Sequence, residues 1–434
     1  MALQSGRGEV IISAKPAWYR RVWSAMGPGL ITGASDDDPS GIATYSQAGA
    51  QFGFAICWTM LLTYPLMAAI QEISARIGRT TGRGIAGNIA RCYPGWLLHG
   101  IVALLVIANT INIGADLSAM GDAVNFLVGG PQLLYVVLVA AISATLQIFI
   151  SYARYASGLR WLTLALFSYF GTILTVKIPW QEVARGMFIP TLTADVAFWT
   201  TVVAVFGTTI SPYLFFWQAS QEAEDLREDP ERQRFKTAPK QFPGEAERIR
   251  IDTYVGMAFS NLVALAIIVT TAATLHVSGI TDIQTSAEAA KALEPVAGAF
   301  ASKIFALGIL GTGLLAVPVL AGSAGYALGE ALKWPVGLAR KPGRAAGFYA
   351  TIALATMVGA ALNFMPISPI KALFWSAVIN GVVAVPVMTI MMLMARNAKI
   401  MGKFPVKGAL GYVGWTATAA MALASLGMFL TALV

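Results

Sequence analysis

A run of three carboxylates, Asp36–Asp38, stands within an apolar stretch and is followed at once by Pro39, Ser40 and Gly41. A charged side chain at bilayer depth is costly, and it persists mostly where it serves an ion pathway or holds an ion. Pro39 removes a helical hydrogen-bond donor and disfavours helical geometry at the residue before it, while Gly41 unwinds at little cost. Unwound backbone frees carbonyl oxygens, and these suit a hard cation together with carboxylates. The pattern predicts a cation site at a break in a membrane helix.

The three carboxylates have different expected roles in this site. Asp38, directly before the proline, is the first candidate ligand, and Asp37 is the second. Asp36 is expected to face away from the cation or to hold the half-helix in place. A buried polar turn, or a loop between two short spans, is the alternative for the whole run.

A second apolar stretch, 196–222, carries a similar interruption that contains Thr208, Ser211 and Pro212. The carbonyl oxygen of Thr208 and the hydroxyl oxygen of Ser211 are hard ligands and are further candidates for the cation site. Taken alone, this stretch reads as an ordinary proline kink. Corresponding breaks in two halves of a membrane chain, however, indicate an inverted-repeat transporter whose site lies at the bilayer midplane.

Four other polar residues are predicted to lie inside the membrane. Asn109, Asn112 and Asp116 are spaced to share one helix face. Interhelical hydrogen bonding suits the two asparagines, whereas Asp116 is expected to border the ion pathway. Asn380 can serve either packing or the pathway, and the sequence does not decide between these roles.

Several classes of protein are excluded by what the sequence lacks. The two histidines, His99 and His276, lie away from both breaks, and there is no cluster of Cys and His. The site is therefore not one of soft zinc or copper ligands. No nucleotide-binding loop or hydrolase triad is present, so we expect neither an enzyme nor a bound cofactor.

The elements that must position these residues are membrane helices. Of the 434 residues, 56% are hydrophobic and only 12% are charged, whereas about a quarter of the residues of a soluble domain are charged. Stretches of roughly twenty apolar residues predict an all-α polytopic membrane protein with eleven spans. The first and sixth are broken. The spans are predicted at 25–52, 54–76, 97–124, 132–150, 157–176, 196–222, 251–275, 298–329, 345–362, 369–395 and 409–433.

The distribution of Lys and Arg orients these spans. With the N-terminus in the cytoplasm, 25 of the 30 basic residues fall on the cytoplasmic side, which is the pattern of the positive-inside rule. The C-terminus is then extracytoplasmic. The basic residues lie in loops, so nucleic acid is not an expected partner. The predicted segments are a cytoplasmic tail at 1–24, a first repeat at 25–176, an extracellular loop at 177–195, a second repeat at 196–395 with a solvated cytoplasmic loop at 225–250, and a linker with the last span at 396–434.

Three segments resemble the natural resistance-associated macrophage protein (Nramp) family of divalent-metal transporters. DPSGIATYSQAGAQFG, which begins at Asp38, is similar to the family's DPGN break and the run that follows it. SARIGRTTGRGIA at 74–86 and GADLSAMGDAV at 114–124 match its segments after the second span and in the third. The resemblance implies a LeuT-type fold with five-plus-five inverted repeats, alternating access, a multi-pass location in the plasma or inner membrane, and a divalent metal ion as substrate.

The departures from the family pattern carry information about the substrate. Gly41 stands where the family has Asn, and Ser211 stands where it has Met. Tyr213 replaces a His, Gln218 lies near the position of a second His, and Ala119 replaces a Glu. The resemblance places Gly41 in the metal site and Tyr213 and Gln218 on the pathway. The ninth predicted span also lacks the family's buried Arg pair. These changes resemble the Nramp-related magnesium transporters.

The expected function is secondary transport of a hard divalent cation, Mg²⁺ and also Mn²⁺, without obligatory proton coupling. Loss of the thioether ligand removes a preference for transition metals. The alternatives are a proton-coupled Mn²⁺/Fe²⁺ importer of the conventional family type, and an amino-acid transporter of the same fold. An acidic helix break argues against the last, because a substrate carboxylate needs an exposed helix N-terminus. The lipid bilayer and the metal ion are the expected partners, and no obligate protein partner is inferred.

Overall fold

The computed structural model describes residues 33, 35–150, 165–229, 231–365 and 368–433. Across these ranges the chain forms helices and connecting turns, and no strand is present in them. The helices of eight or more residues are α1 Pro39–Phe52, α2 Trp58–Thr81, α3 Ile85–Cys92, α4 Gly95–Val128, α5 Gln132–Phe149, α6 Phe167–Thr175, α7 Trp180–Phe188, α8 Val196–Thr209, α9 Pro212–Glu228, α10 Phe242–Thr271, α11 Ala301–Ala331, α12 Ala346–Leu362, α13 Pro369–Arg396 and α14 Gly408–Thr431.

Each of the eleven predicted spans overlaps at least one of these helices. Within the described ranges, seven segments are long and apolar enough to cross a membrane, and α1 with α2, bent by 110°, forms an eighth candidate. The shorter apolar helix α12 corresponds to the ninth predicted span. The start of the first predicted span and that of the fifth lie outside the described residues, so α1 and α6 are each only part of their predicted spans.

The two helix breaks are built in the same way. Asp38 has an extended backbone, and its side chain caps α1, which begins at Pro39. Ser211 is likewise extended, and α9 begins at Pro212 after α8 has ended at Thr209. A proline is well tolerated in the first turn of a helix, where no intrahelical acceptor awaits its missing N–H. Each proline therefore ends one helical segment and starts the next.

Helix α1 lies at the centre of the bundle. All residues from Pro39 to Ala50 are buried, and α1 packs against α8, α10 and α13. Around it, α4 packs against α11, α12 and α13, and α9 packs against α2 and α11. The breaks at the starts of α1 and α9 thus face the interior of the bundle.

The charged segment predicted as a solvated loop at 225–250 is shorter and better packed than expected. Helix α9 continues to Glu228 and α10 begins at Phe242. Arg248 of α10 binds Glu222 of α9 at 2.7 Å, and Phe235 of the remaining loop is buried. The ion pair between the two helices and the buried aromatic side chain hold the described part of this polar segment against the bundle.

Candidate functional site

Asp38 is buried at the start of α1 with both carboxylate oxygens engaged. Oδ1 accepts hydrogen bonds from the backbone N–H of Gly41 and from the hydroxyl of Ser40, both at 2.7 Å. Oδ2 accepts from the side-chain amide of Asn112 at 3.1 Å and lies 3.4 Å from the hydroxyl of Tyr213. One oxygen therefore holds the backbone of the break, and the other faces side chains from α4 and α9.

A chain of side-chain hydrogen bonds links Asp38 to three helices. Asn112 of α4 donates to Asp38 and accepts from the hydroxyl of Ser376 of α13 at 2.7 Å. The hydroxyl of Tyr213 lies 3.1 Å from the carbonyl oxygen of Ser35 and 3.4 Å from Asp38, so these two acceptors share its proton. Buried polar groups that are satisfied in this way fix one arrangement of the helices around the carboxylate.

The break before α1 lies directly against the break between α8 and α9. A β-carbon placed on Gly41 would lie 3.1 Å from the hydroxyl oxygen of Thr208 and 3.2 Å from the carbonyl oxygen of Asp36. The hydroxyl of Ser211 donates to the carbonyl oxygens of Gly207 and Thr208, at 2.6 and 2.9 Å. The two predicted oxygen donors of the second break, the Thr208 carbonyl and the Ser211 hydroxyl, thus bind each other in this conformation.

The space beside Gly41 is filled rather than open. Glycine permits the two breaks to approach closely, because any β-carbon here would press on Thr208, Tyr45 and backbone. Distances of 3.0–3.4 Å from a β-carbon are shorter than an ordinary van der Waals contact. A side chain at this position would therefore require a neighbouring group to shift.

Asp36 and Asp37 point toward α10 rather than toward the partners of Asp38. The hydroxyl of Ser260 lies 2.5 Å from Oδ2 of Asp36 and 3.2 Å from Oδ1 of Asp37. The contact between Asp36 and Ser260 agrees with the expectation that Asp36 holds the half-helix in place. Asp37, predicted as the second ligand, shares the Ser260 hydroxyl with Asp36 and has no hydrogen bond in common with Asp38 among the described residues.

The three remaining pathway candidates differ in their relation to Asp38. Asp116, one helical turn beyond Asn112, is buried and has the backbone of Ser40 and the carboxylate of Asp38 as electrostatic neighbours. Its two oxygens lack a hydrogen bond of normal geometry within the described part of the chain. Asn380 and Gln218 are also buried, but neither is among the groups that hydrogen-bond to Asp38.

Asn112 and Ser260 are site residues that the sequence did not reveal as such. Asn112 was assigned to interhelical packing together with Asn109. Asn109 does pack in this way, since its amide binds the carbonyl of Leu320 and the hydroxyl of Ser323 in α11. The helix face shared by residues 109, 112 and 116 was the only sequence feature that could have indicated a site role for Asn112. No feature of the sequence indicated such a role for Ser260.

The chemistry of the site is that of oxygen ligands around one carboxylate. In the described ranges, no three side chains of the His, Cys, Asp and Glu types are grouped so that they could hold a metal. The groups near Asp38 are the side-chain amide of Asn112, the hydroxyls of Ser40 and Tyr213, and backbone carbonyls. Such a set suits a hard cation that keeps part of its water shell, as Mg²⁺ does.

A family model described as "natural resistance-associated macrophage protein-like" matches residues 29–431. The chain is 28% identical to a divalent metal cation transporter MntH of Pectobacterium carotovorum over 71% of this chain and 72% of that protein. It is 29% identical to the MntH of Yersinia enterocolitica over 70% of this chain and 72% of that protein.

Solved structures of similar fold extend over nearly the whole chain. A manganese transporter of Eremococcus coleocola superposes with a TM-score of 0.75 at 15% identity, and covers 96% of this chain and 88% of its own. MhsT in complex with L-phenylalanine gives a TM-score of 0.62 at 13% identity, over 93% of this chain and 98% of its own. At such identities the likeness shows the fold alone, and it confirms the predicted LeuT-type helical fold with broken first and sixth spans.

Proposed function

This chain belongs to the natural resistance-associated macrophage protein-like (Nramp) family, and from that premise we propose that it is a secondary transporter of a hard divalent cation that works by alternating access. The observation that carries the proposal is the buried carboxylate of Asp38 at the start of α1, beside the break between α8 and α9. A half-helix break that faces the bundle interior is where transporters of this kind hold their ions. Asp38 is the central ligand, and the carbonyl of Thr208 and the hydroxyl of Ser211 are ligands from the second break.

We propose that Mg²⁺ and Mn²⁺ are both transported. Ser211 supplies an oxygen where the family pattern has a thioether, and the side chains that contact Asp38 carry an amide or a hydroxyl group. Without a sulfur ligand, a site has little means to prefer Mn²⁺ over the more abundant Mg²⁺. The closed space beside Gly41 means that a hydrated ion would need the two breaks to separate when it binds.

The experiment is competition between the two metals in proteoliposomes. Wild-type protein should take up Mn²⁺, and millimolar Mg²⁺ should both enter and suppress that uptake. S211M restores the sulfur ligand, and S211A is its matched control because it removes the hydroxyl without adding sulfur. If Mg²⁺ neither enters nor competes, the assignment to a magnesium-carrying branch is wrong.

The conventional proton-coupled manganese or iron importer is the second candidate. It is favoured by the relatives, which are named divalent metal cation transporters, and by a structural neighbour that is a manganese transporter. It predicts Mn²⁺ uptake that Mg²⁺ does not inhibit, so the competition assay separates the two candidates.

An amino-acid transporter is disfavoured by the capping of α1. The carboxylate of Asp38 accepts the Gly41 N–H at 2.7 Å, which is the group that a substrate carboxylate would bind. A second carboxylate at this position would meet a like charge at close range, and like charges there repel strongly. Uptake of labelled amino acids by the same proteoliposomes should stay at background.

We infer that the chain lies in the plasma or inner membrane with a cytoplasmic N-terminus and an extracytoplasmic C-terminus. The 25-to-5 distribution of basic residues supports this orientation. We likewise propose two repeats, 25–176 and 196–395, of opposite topology. Reporter fusions at the two chain ends should give opposite signals, and equal signals would contradict both inferences.

A further inference from the structure

The ends of α2, α9 and α11 enclose a cavity of about 420 Å³ on the side that the charge distribution assigns to the cytoplasm. Four arginines line it among the described residues, and a single acidic side chain, Glu330, lies with them. The arginines are Arg83, Arg227, Arg232 and Arg234. This volume falls in the range of small-molecule sites, about 300–1,000 Å³.

The carboxylate of Glu330 offsets one of the four arginine charges and has Arg83 and Arg227 as electrostatic neighbours. Its two oxygens accept the backbone N–H groups of Gly84 and Gly87, at 2.7 and 2.8 Å. These two hydrogen bonds hold the start of α3 against α11. Arg227 donates to the carbonyl oxygens of Val336 and Ala223, which carry no charge.

Of the four arginines, only Arg232 has a carboxylate within ion-pair distance in the described part of the chain. It binds Asp225 at 2.7 Å and Asp229 at 3.2 Å. Arg83 and Arg234 form no ion pair there, and both are at least partly exposed to solvent. Two guanidinium groups with free donors thus face one cavity that a ligand from water can enter.

The position of Arg234 is set by the turn that ends α2. Gly82 has a left-handed backbone, with φ of 66°, which favours glycine. A β-carbon on Gly82 would lie 2.4 Å from Nε of Arg234. The glycine therefore both ends the helix and lets the guanidinium lie directly on the backbone at the cavity wall.

We propose that this cavity binds a phosphate-bearing anion, either a free polyphosphate or the headgroup of an anionic lipid. Planar guanidinium groups bind phosphate oxygens through paired, charge-assisted hydrogen bonds, and the side chain of Gln233 adds a neutral donor to the same wall. The anion bridges the end of α2 to the end of α9 and to the loop after it. It ties the second half of a broken helix to its neighbours in the conformation described here.

The experiment uses the full-length protein in nanodiscs, in buffer freed of divalent metal. In the first arm the discs contain only neutral phosphatidylcholine, and inorganic pyrophosphate is titrated while the unfolding temperature is measured. In the second arm phosphatidylglycerol is added to the discs and pyrophosphate is left out. The test variant is R83Q/R234Q, with R234Q alone as the milder version. The matched control, K341Q/R344Q, removes two exposed charges on the same side that do not line the cavity.

Stabilisation of wild-type and control protein is expected in at least one arm. The concentration of pyrophosphate for half-maximal stabilisation should rise at least tenfold in R83Q/R234Q, or the stabilisation by phosphatidylglycerol should disappear in it. A response in the first arm identifies a free anion, and a response in the second alone identifies a lipid headgroup. Equal responses of the two double variants, or no response of folded wild-type protein to either probe, overturn the proposal. The assay contains no transported metal, so its outcome is independent of the proposed transport.

Discussion

At the scale of single residues, Asp38 gives its two carboxylate oxygens different tasks. Oδ1 is held by Gly41 and Ser40 at 2.7 Å, which fixes the start of α1. Oδ2 has the longer contacts with Asn112 and Tyr213, at 3.1 and 3.4 Å. Longer hydrogen bonds are more easily exchanged for a cation, so Oδ2 is the oxygen that we expect to bind metal while Oδ1 keeps the helix capped.

Replacement of Asp38 separates these two tasks. Asp38→Asn keeps an acceptor for the helix cap but removes the charge, so uptake of Mn²⁺ should fall to background with an unfolding temperature near that of wild type. Asp38→Ala also removes the cap, whose loss costs about 1 kcal/mol, and should unfold at a lower temperature. Metal uptake into proteoliposomes and thermal unfolding of the purified variants measure both effects.

The control for this pair is Asp229→Asn, which neutralises a carboxylate in the loop after α9 that is 45% exposed. It should transport normally. Near-normal uptake by a folded Asp38→Asn protein would show that the carboxylate run is purely structural.

The sequence could predict Asp38 as a candidate because its neighbours, a proline and a glycine, are local signals. It could not identify Asn112 as the residue that reaches Asp38, since the rotation of α4 about its axis decides between Asn112 and Asp116, which share a face. The contact of Asp37 with Ser260 was missed for a similar reason. Partners that lie more than seventy residues apart in the chain are chosen by packing, and a single sequence carries little trace of that choice.

At the scale of helices, small residues set the distance between the broken segments and their neighbours. A β-carbon on Gly207 in α8 would lie 2.1 Å from the carbonyl oxygen of Ala377 and 2.4 Å from the backbone nitrogen of Gly381. Both of those atoms are backbone atoms of α13 and cannot rotate away. Close approach of this kind is typical of helix pairs in membranes, which lack a hydrophobic driving force between them.

Gly207→Ala should therefore push α8 away from α13 and disturb the break that follows it. The cost of overpacking is about 1–3 kcal/mol, which should appear as a lower unfolding temperature together with reduced metal uptake. Gly244→Ala in the first turn of α10 is the matched control, because no atom lies within 4 Å of its added carbon. Equal unfolding temperatures for the two variants would contradict the close packing of α8 on α13.

Helix positions were largely predictable because apolar length alone indicates a membrane span, and helices occur in all eleven predicted spans. The segment 225–250 was predicted poorly because its residues are charged. Composition cannot distinguish a solvated loop from two helix ends joined by ion pairs such as that between Arg248 and Glu222. The pairing of distant charges again depends on packing rather than on local sequence.

At the scale of the whole molecule, the described residues form two cavities toward opposite ends of the bundle, and Asp38 lines neither of them. A cavity of about 670 Å³ opens beside Asp195, Asp282 and Lys371, on the side predicted as external. The arginine-lined cavity lies at the other end. Alternating access, as proposed above, requires the helices around the breaks to move so that Asp38 meets each side of the membrane in turn.

Transport is expected to be driven by the metal gradient and the membrane potential, with little obligatory proton movement. A proton pathway needs titratable groups in sequence across the protein. Helix α12 contains no charged residue, and Ala119 of α4 stands where the family pattern has an acid. Asp116 is the buried carboxylate of α4 near Asp38. The carboxylates of Asp36–Asp38 would be engaged by the cation itself, so we do not expect them to relay a proton from Asp116.

The measurement uses proteoliposomes that hold a pH-sensitive dye, with an inside-negative potential and an inward Mn²⁺ gradient. Mn²⁺ should enter without acidification of the interior, and Asp116→Asn should leave that absence of a pH signal unchanged. Acidification that tracks Mn²⁺ uptake would refute uncoupled transport, whatever carries the proton. If Asp116→Asn then abolishes the acidification while metal still enters, Asp116 is the proton carrier and the conventional coupled mechanism applies to this chain.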